Sequence, residues 1–236
     1  MTESPAKLAK HAYVCLADER LIFSDVRHDR YQCLDLRNTQ TALRLFPQIR
    51  SLDLLGSSDS DQEQVKRIDL ALKGAGLLVD GNSDGKLSVP VRIAAPKKSF
   101  DLRQNNGCPQ ASHCMAFLKA ALSASAKYRF LSLQRIIEGV HRRKSRQADL
   151  DHNDPEKLLE LVAVFHRLRP YYVREYLCRF DSLALIEFLA HYRHFPEWVF
   201  GVTGEPFAAH CWVQEGNMVL NDTVDFVRRF TPIMAF

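Results

Sequence analysis

Apolar and polar positions change rhythm several times along this chain. Between residues 11 and 36, three short apolar runs, HAYVCLA, RLIFSDV and RYQCLDL, are broken by Ala17-Asp18-Glu19-Arg20 and by Arg27-His28-Asp29. Short β-branched and aromatic runs between polar breaks predict a three-stranded antiparallel meander. The period then lengthens. Thr41 to Leu55 and Gln62 to Leu72 carry apolar residues at helical spacing, the second with Ser60-Asp61 as caps in front and Gly74 and Gly76 behind. The pattern predicts a small sheet-plus-helices domain that ends near Val79.

From Asp80 to Gly107 the chain is rich in Gly, Asn, Ser, Pro and Lys, and only Val89 to Ile93 reads as a strand. This is the composition of a linker. Beyond it, Ala111 to Phe130 and Leu133 to Gln147 read as helices. Asp154-Pro155 opens a third with an N-cap and a proline at the first helical position, and that helix stops before Pro170. A further helix is expected from Cys178 to Tyr192, where Phe180, Leu183, Ile186 and Ala190 recur at helical intervals. Strands follow between Trp198 and Leu220. The expected organisation is α+β: a first domain over 1–80, a linker over 81–107 and a second domain over 108–236. There is no internal repeat.

Composition narrows the function classes. The chain has 236 residues, 46% hydrophobic and 25% charged, enough to bury a core. No run approaches the roughly 18 apolar residues of a membrane helix, and MTESPAKLAKHAY lacks the basic start and apolar stretch of a signal peptide. A cytoplasmic protein with no membrane partner is expected. Six scattered cysteines are read as reduced thiols. The net charge of +4 divides unevenly: residues 1–85 carry 11 Lys+Arg against 13 Asp+Glu, and residues 86–236 carry 21 against 15. The run His141-Arg142-Arg143-Lys144-Ser145-Arg146 lacks the interleaved aromatics of a nucleic-acid platform, and it reads as a solvated helix end.

Candidate chemistry gathers at three positions. Cys178 lies where an extended segment, Tyr171 to Leu177, turns into a helix, and free N–H groups at a helix start favour a thiolate. A cysteine there is also a common core residue. In PFAAHCWVQ, strand alternation puts His210 and Trp212 on one face and Cys211 and Val213 on the other. A three-residue loop centred on Gly216 would set His210 opposite Asp222, about 5 Å apart at Cβ. A two-residue Gly216-Asn217 turn would instead pair His210 with Thr223 and turn Asp222 to the other face. The longer loop is expected, because Asn217 tolerates a left-handed conformation. A carboxylate beside the imidazole would fix its tautomer and free the other nitrogen for a thiol. The plain alternative is a core histidine and a turn aspartate.

At YLCRFDSLALIEFLA followed by WVFGVTGEPFAAHCWVQEGNMVLND, the chain resembles the lasso-peptide B proteins, leader peptidases of transglutaminase/papain-like fold. The likeness spans about residues 155–236. It implies a Cys178, His210 and Asp222 triad, a lasso precursor peptide as substrate, no cofactor, and a partner that closes the macrolactam, an ATP-dependent lactam synthetase of asparagine-synthetase type. The first domain resembles the small winged-helix-type PqqD-like element that holds leader peptides. On that likeness the leader would add as a strand along Arg30 to Leu36, with Arg30, Tyr31, Gln32, Cys33 and Leu34 as peptide-binding residues. Trp212 is a further candidate for lining the substrate groove. The family often has a small residue where this chain has Cys211, which is expected to face away from the thiolate. An acyltransferase of the same fold, and a non-catalytic presenter of the precursor, remain as alternatives.

Other side chains attract plainer readings. Cys108, His113 and Cys114 in CPQASHC match no usual zinc spacing, so no metal is expected. Cys15 and Cys33 read as packed thiols, and His166, His191 and His194 as structural or solvent-facing.

Overall fold

The computed structural model describes residues 6–49, 62–80, 83–105, 107–147 and 154–236. Ser60-Asp61 and positions 50–55 of the helix expected from Thr41 to Leu55 lie outside the described residues. Two compact units share the chain. The first holds Met1–Arg92 with Val202–Ala208 and Thr231–Met234, and the second holds Ile93–Gly201, Ala209–Phe230 and Ala235–Phe236.

In the first unit, β1 (Lys7–Leu8) is the middle strand of a small antiparallel sheet, between β5 (Leu78–Val79) and β6 (Lys86–Leu87). The meander forms as β2 (Ala12–Ala17), β3 (Arg20–Asp25) and β4 (Arg30–Cys33), with β4 the outer strand. Its first turn uses two left-handed non-glycine residues, Asp18 at φ +46° and Glu19 at φ +61°. Such residues cost about 1 kcal/mol each. Part of that cost is offset within the unit, where the Asp18 carboxylate accepts the Gly204 N–H at 2.7 Å. Leu21, Ile22 and Phe23 are fully buried, so both faces of β3 are covered. Phe23 packs against Phe46 at 5.7 Å between ring centres, in a core with Leu72 and Leu77.

The third apolar run stops being a strand at Cys33. Asp35 then caps α1 (Leu36–Ala42), its carboxylate accepting the Asn38 N–H at 2.7 Å. The helix therefore lies ahead of the one expected from Thr41 to Leu55 and ends where that one should begin, because the Asp35 side chain satisfies its first-turn donors; the described residues 43–49 hold a turn and a 3-10 helix. A 3-10 turn at Pro47–Ile49 follows, and α2 spans Gln62–Gly74. Cys33 is exposed, which corrects its reading as a packed thiol. An outer strand leaves one of its faces open, whereas Cys15 on β2 is buried.

The second unit contains α3 (Ala111–Phe130), α4 (Leu133–Gln147), α5 (Pro155–Leu168) and α6 (Cys178–His191). Asp154 caps α5 through the N–H groups of Glu156 and Lys157, both at 3.1 Å. Helix α6 is apolar almost all round and buried accordingly, with Phe180, Leu183, Leu185, Phe188 and Leu189 fully enclosed. Glu187 on its flank takes both guanidinium arms of Arg143, at 3.0 and 2.8 Å, so part of the basic run is a packing device and not a free charged end.

The five-stranded sheet has the order β11-β8-β9-β10-β7. Its members are β7 (Lys98–Ser99), β8 (Glu197–Thr203), β9 (Ala208–Glu215), β10 (Met218–Val219) and β11 (Thr231–Ala235), with the short α7 (Val224–Val227) before the last. The stretch read as a linker thus supplies β7, which pairs in parallel with β10 through Lys98 to Met218 and Ser99 to Val219. Among the described residues no helix is long and apolar enough to cross a membrane.

Candidate active site

Cys178 is the first residue of α6 and is exposed. The N-cap, Leu177, offers no side-chain hydrogen bond. The helix start is instead organised by Asp181, whose Oδ2 accepts the Leu177 N–H at 2.6 Å. Its Oδ1 accepts the Nε of Arg169, which is 3% exposed. The other arms of that guanidinium donate to the carbonyls of Tyr172, Arg174 and Glu175 at 3.0, 3.1 and 3.2 Å. One buried arginine therefore gathers the loop that delivers Cys178. Sequence reading missed this pair, since Arg169 and Asp181 are 12 positions apart.

His210 lies on β9, and its Nε2 hydrogen-bonds Asp222 Oδ2 at 2.6 Å. The register differs from the expected one. Met218 pairs with Glu215 and Val219 with Gln214, which makes Gly216-Asn217 a two-residue turn. Gly216 takes the left-handed conformation at φ +52°, and Asn217 is not needed for it. Asp222 still meets His210, because the pairing runs out after the Leu220 N–H bond to the Val213 carbonyl at 2.8 Å and the chain then bends away to Asp222. Two side chains fix that bend. Asn221 Oδ1 accepts the Val213 N–H at 2.7 Å, and Asn221 Nδ2 donates to Ser182 Oγ on α6 at 2.9 Å. His166 Nε2 lies 2.8 Å from the Leu220 carbonyl, so this histidine, read as structural or solvent-facing, has a structural place and helps to hold the segment that carries Asp222.

Cys211 does not face away from Cys178. Ser182 Oγ donates to the Cys211 carbonyl at 3.4 Å, which packs α6 on the Cys211 side of β9, and Cys178 lies one turn before Ser182 on that helix face. The Cys211 thiol and N–H and the His210 imidazole all act on the ionisation of the Cys178 sulfur. The Cys211 thiol leads in drawing Cys178 down to about 4, against the opposing effect of burial, with His210 next. Burial works to lower His210, but the bonds to Asp222 and Cys178 outweigh it and hold the imidazole at about 9. Between these values the pair rests as thiolate and imidazolium. Burial and the adjacent Cys178 push the Cys211 thiol well above its ordinary value.

The remaining expected site residues fall in two places. Arg30, Gln32 and Cys33 on β4 are exposed, and Tyr31 and Leu34 are half-buried. Beside them runs a groove of about 540 Å³, lined by Gln32 and Leu34 on one side and by Asn38, Arg67, Ile68 and Ala71 on the other. Trp212, expected to line a substrate groove, is 1% exposed and packs with Val199, Val219, Val227 and Phe230. The alternation that puts it beside His210 also turns it into the core. Its ring lies nearly parallel to the imidazole, 6.3 Å away, and backs it. Among the described residues no three His, Cys, Asp or Glu side chains form a metal-binding group. Cys108 and Cys114 are exposed, and His113 Nδ1 accepts the Gln110 N–H at 3.2 Å.

A helix-start cysteine, a strand histidine and a carboxylate beyond it suit acyl transfer through a thioester, to water or to an amine. Comparison with curated proteins gives no match, and neither does comparison with solved structures. The family model described as the transglutaminase-like superfamily matches residues 118–235, which is half of the chain and includes all three of these positions. The chain belongs to the transglutaminase-like superfamily.

Proposed function

We propose that this protein is a cysteine peptidase that removes the leader from a ribosomally made lasso precursor peptide. The observation that carries the reading is the His210 imidazole held between Asp222 and the Cys178 sulfur. In this mechanism the Cys178 thiolate attacks the scissile carbonyl, and the backbone N–H of Cys178 with one further donor steadies the oxyanion. His210 protonates the leaving amine. It then activates the water that hydrolyses the thioester, while Asp222 orients the ring and supports its charge.

Capture of the precursor falls to the first unit, read as a PqqD-like module. The leader lies along β4 as an added strand, its main chain on the outer edge and its side chains in the neighbouring groove. The freed core peptide passes in the cytoplasm to an ATP-dependent lactam synthetase of asparagine-synthetase type. The substrate and both partners rest on the motif likeness in residues 155–236 and on the open edge of β4.

Mass spectrometry of a cognate precursor tests this, using wild-type protein and Cys178→Ala, each with and without the synthetase. Separated leader and core with wild type alone is the expected result. Hydrolysis leaves a free carboxylate on the leader, whereas transfer to an amine adds that amine's mass and identifies an acyltransferase. Intact precursor in every tube overturns the peptidase reading in favour of a presenting role.

A further inference from the structure

The proposed reaction uses one thiol, yet the site holds two. Cys211 is 2% exposed and adjoins His210 in sequence. Three observations converge on its place against the nucleophile. Ser182 Oγ donates to the Cys211 carbonyl at 3.4 Å, the Cys211 sulfur lies 4.0 Å from the same hydroxyl, and Cys178 sits one helical turn from Ser182. The thiol has two acceptors within reach. The Ser182 hydroxyl takes its proton at 4.0 Å, the outer limit for a sulfur donor, and the Cys178 sulfur is the alternative. A buried thiol with no other sulfur beside it is an ordinary small core residue, and Cys211 differs in its neighbour. Its place beside an exposed thiolate suits a different chemistry.

We propose that Cys211 is a resolving cysteine: when a hydroperoxide oxidises Cys178, Cys211 closes a reversible disulfide with it and so spares the nucleophile from irreversible oxidation. In the first step the Cys178 thiolate attacks one oxygen of hydrogen peroxide. An S–O bond forms, the O–O bond breaks, and the departing hydroxide takes the imidazolium proton of His210 and leaves as water. Cys178 is now a sulfenic acid, oxidised by two electrons, and the peroxide has been reduced. In the second step the Cys211 sulfur attacks the Cys178 sulfur. An S–S bond forms, the S–O bond breaks, and the hydroxide leaves with the Cys211 thiol proton as a second water. A dithiol reductant reverses the product by thiol–disulfide exchange. The exposed thiols Cys33, Cys108 and Cys114 are not in the site and take no part.

This inference rests on the reading of Cys178 as a thiolate, and its test needs no peptide substrate, so the two stand or fall separately. Reduced full-length protein is treated with hydrogen peroxide, alkylated, digested and mapped by mass spectrometry. The expected product is a peptide pair joining Cys178 to Cys211, lighter by two hydrogens and separated by dithiothreitol. In Cys211→Ala, and in Cys211→Ser as a second variant, Cys178 instead accumulates several-fold more sulfinic and sulfonic acid, which dithiothreitol does not reverse. The wild-type map alone decides the matter if either variant folds poorly. Wild-type Cys178 found as sulfinic acid, linked to another cysteine, or unmodified, with no Cys178–Cys211 peptide, overturns the proposal.

Discussion

The buried guanidinium of Arg169 holds the carboxylate of Asp181, three residues beyond Cys178 on α6. The same guanidinium collects the carbonyls of Tyr172, Arg174 and Glu175, so a single side chain ties the approach loop to the helix it enters. Removing it deprives a partly buried carboxylate and three carbonyls of their shared donor. Arg169→Ala should cost about 3–5 kcal/mol. Arg169→Lys should recover little of this, since an ammonium lacks the planar fork that reaches four acceptors. Thermal unfolding of both variants beside wild type checks the effect. A melting temperature within a degree or so of wild type for Arg169→Ala would show that the clamp is not stabilising.

The ionisation of Cys178 and His210 sets the pH dependence. Cys178 loses its proton at about 4 and His210 keeps one to about 9, so the thiolate–imidazolium pair exists between those limits. Below the lower limit the nucleophile is a thiol. Above the upper one the acid that, under the proposed function, protonates the leaving amine is gone. The rate of cleavage of a short peptide spanning the scissile bond should therefore be flat across neutral pH and fall at both ends.

Asp222→Asn should lower kcat by about 10²–10⁴-fold. It should also move the alkaline limb to lower pH, because the carboxylate is a principal group raising His210. Complete pH–rate profiles separate this from a folding defect, which would lower the plateau without moving the limb. A limb that stays near pH 9 in the variant would assign the raised imidazole to Cys178 alone.

How far this site can be read in the sequence differs from residue to residue. The position of Cys178 at a helix start follows from apolar spacing, and the structure begins α6 at that residue. The His210–Asp222 contact is reached by a different route from the one the pattern predicts. Cross-strand register would separate the two residues once the turn is Gly216-Asn217, and the contact exists because the chain leaves the ladder after Leu220. Departure from a ladder depends on tertiary partners such as Asn221 and His166, which no local pattern encodes. Alternation does put Cys211 opposite His210, but it is silent on which face a helix will cover. The covered face is the one that brings Cys211 to Cys178. In the first unit, the apolar period of Thr41 to Leu55 does not mark the helix, which an Asp35 cap places at Leu36–Ala42.

The groove beside β4 offers a separable test of precursor capture. Ala71 lines it and is exposed, so a charged side chain fits there without disturbing the core. Ala71→Glu should weaken binding of the full precursor by about tenfold or more, equivalent to at least 1.4 kcal/mol. It should leave cleavage of a short peptide that lacks the leader unchanged. Fluorescence anisotropy with labelled precursor measures the first and product mass the second. Equal affinity in variant and wild type would remove the groove from the binding surface.

Gly201 reports on packing behind the imidazole. A Cβ there would lie 2.8 Å from the Phe230 Cβ and 3.0 Å from the Trp212 ring, the ring that backs His210. Gly201→Ala should destabilise the protein by about 1–3 kcal/mol through overpacking. Chemical denaturation gives the stability loss. A variant as stable as wild type would mean that the Trp212 ring shifts freely.

The hydrogen-bonded ring of Asn221, Ser182 and Cys211 joins the helix bearing the nucleophile to the strand bearing the base, and none of the reacting atoms belongs to it. The entropy of bringing the two together is therefore spent when the chain folds, before any peptide arrives. A substrate entering such a site has nothing left to assemble. Under the proposed function, the leader's contribution then reduces to that of a tether, which raises the local concentration of the scissile bond. Its loss is felt when peptide is scarce and disappears when peptide is abundant.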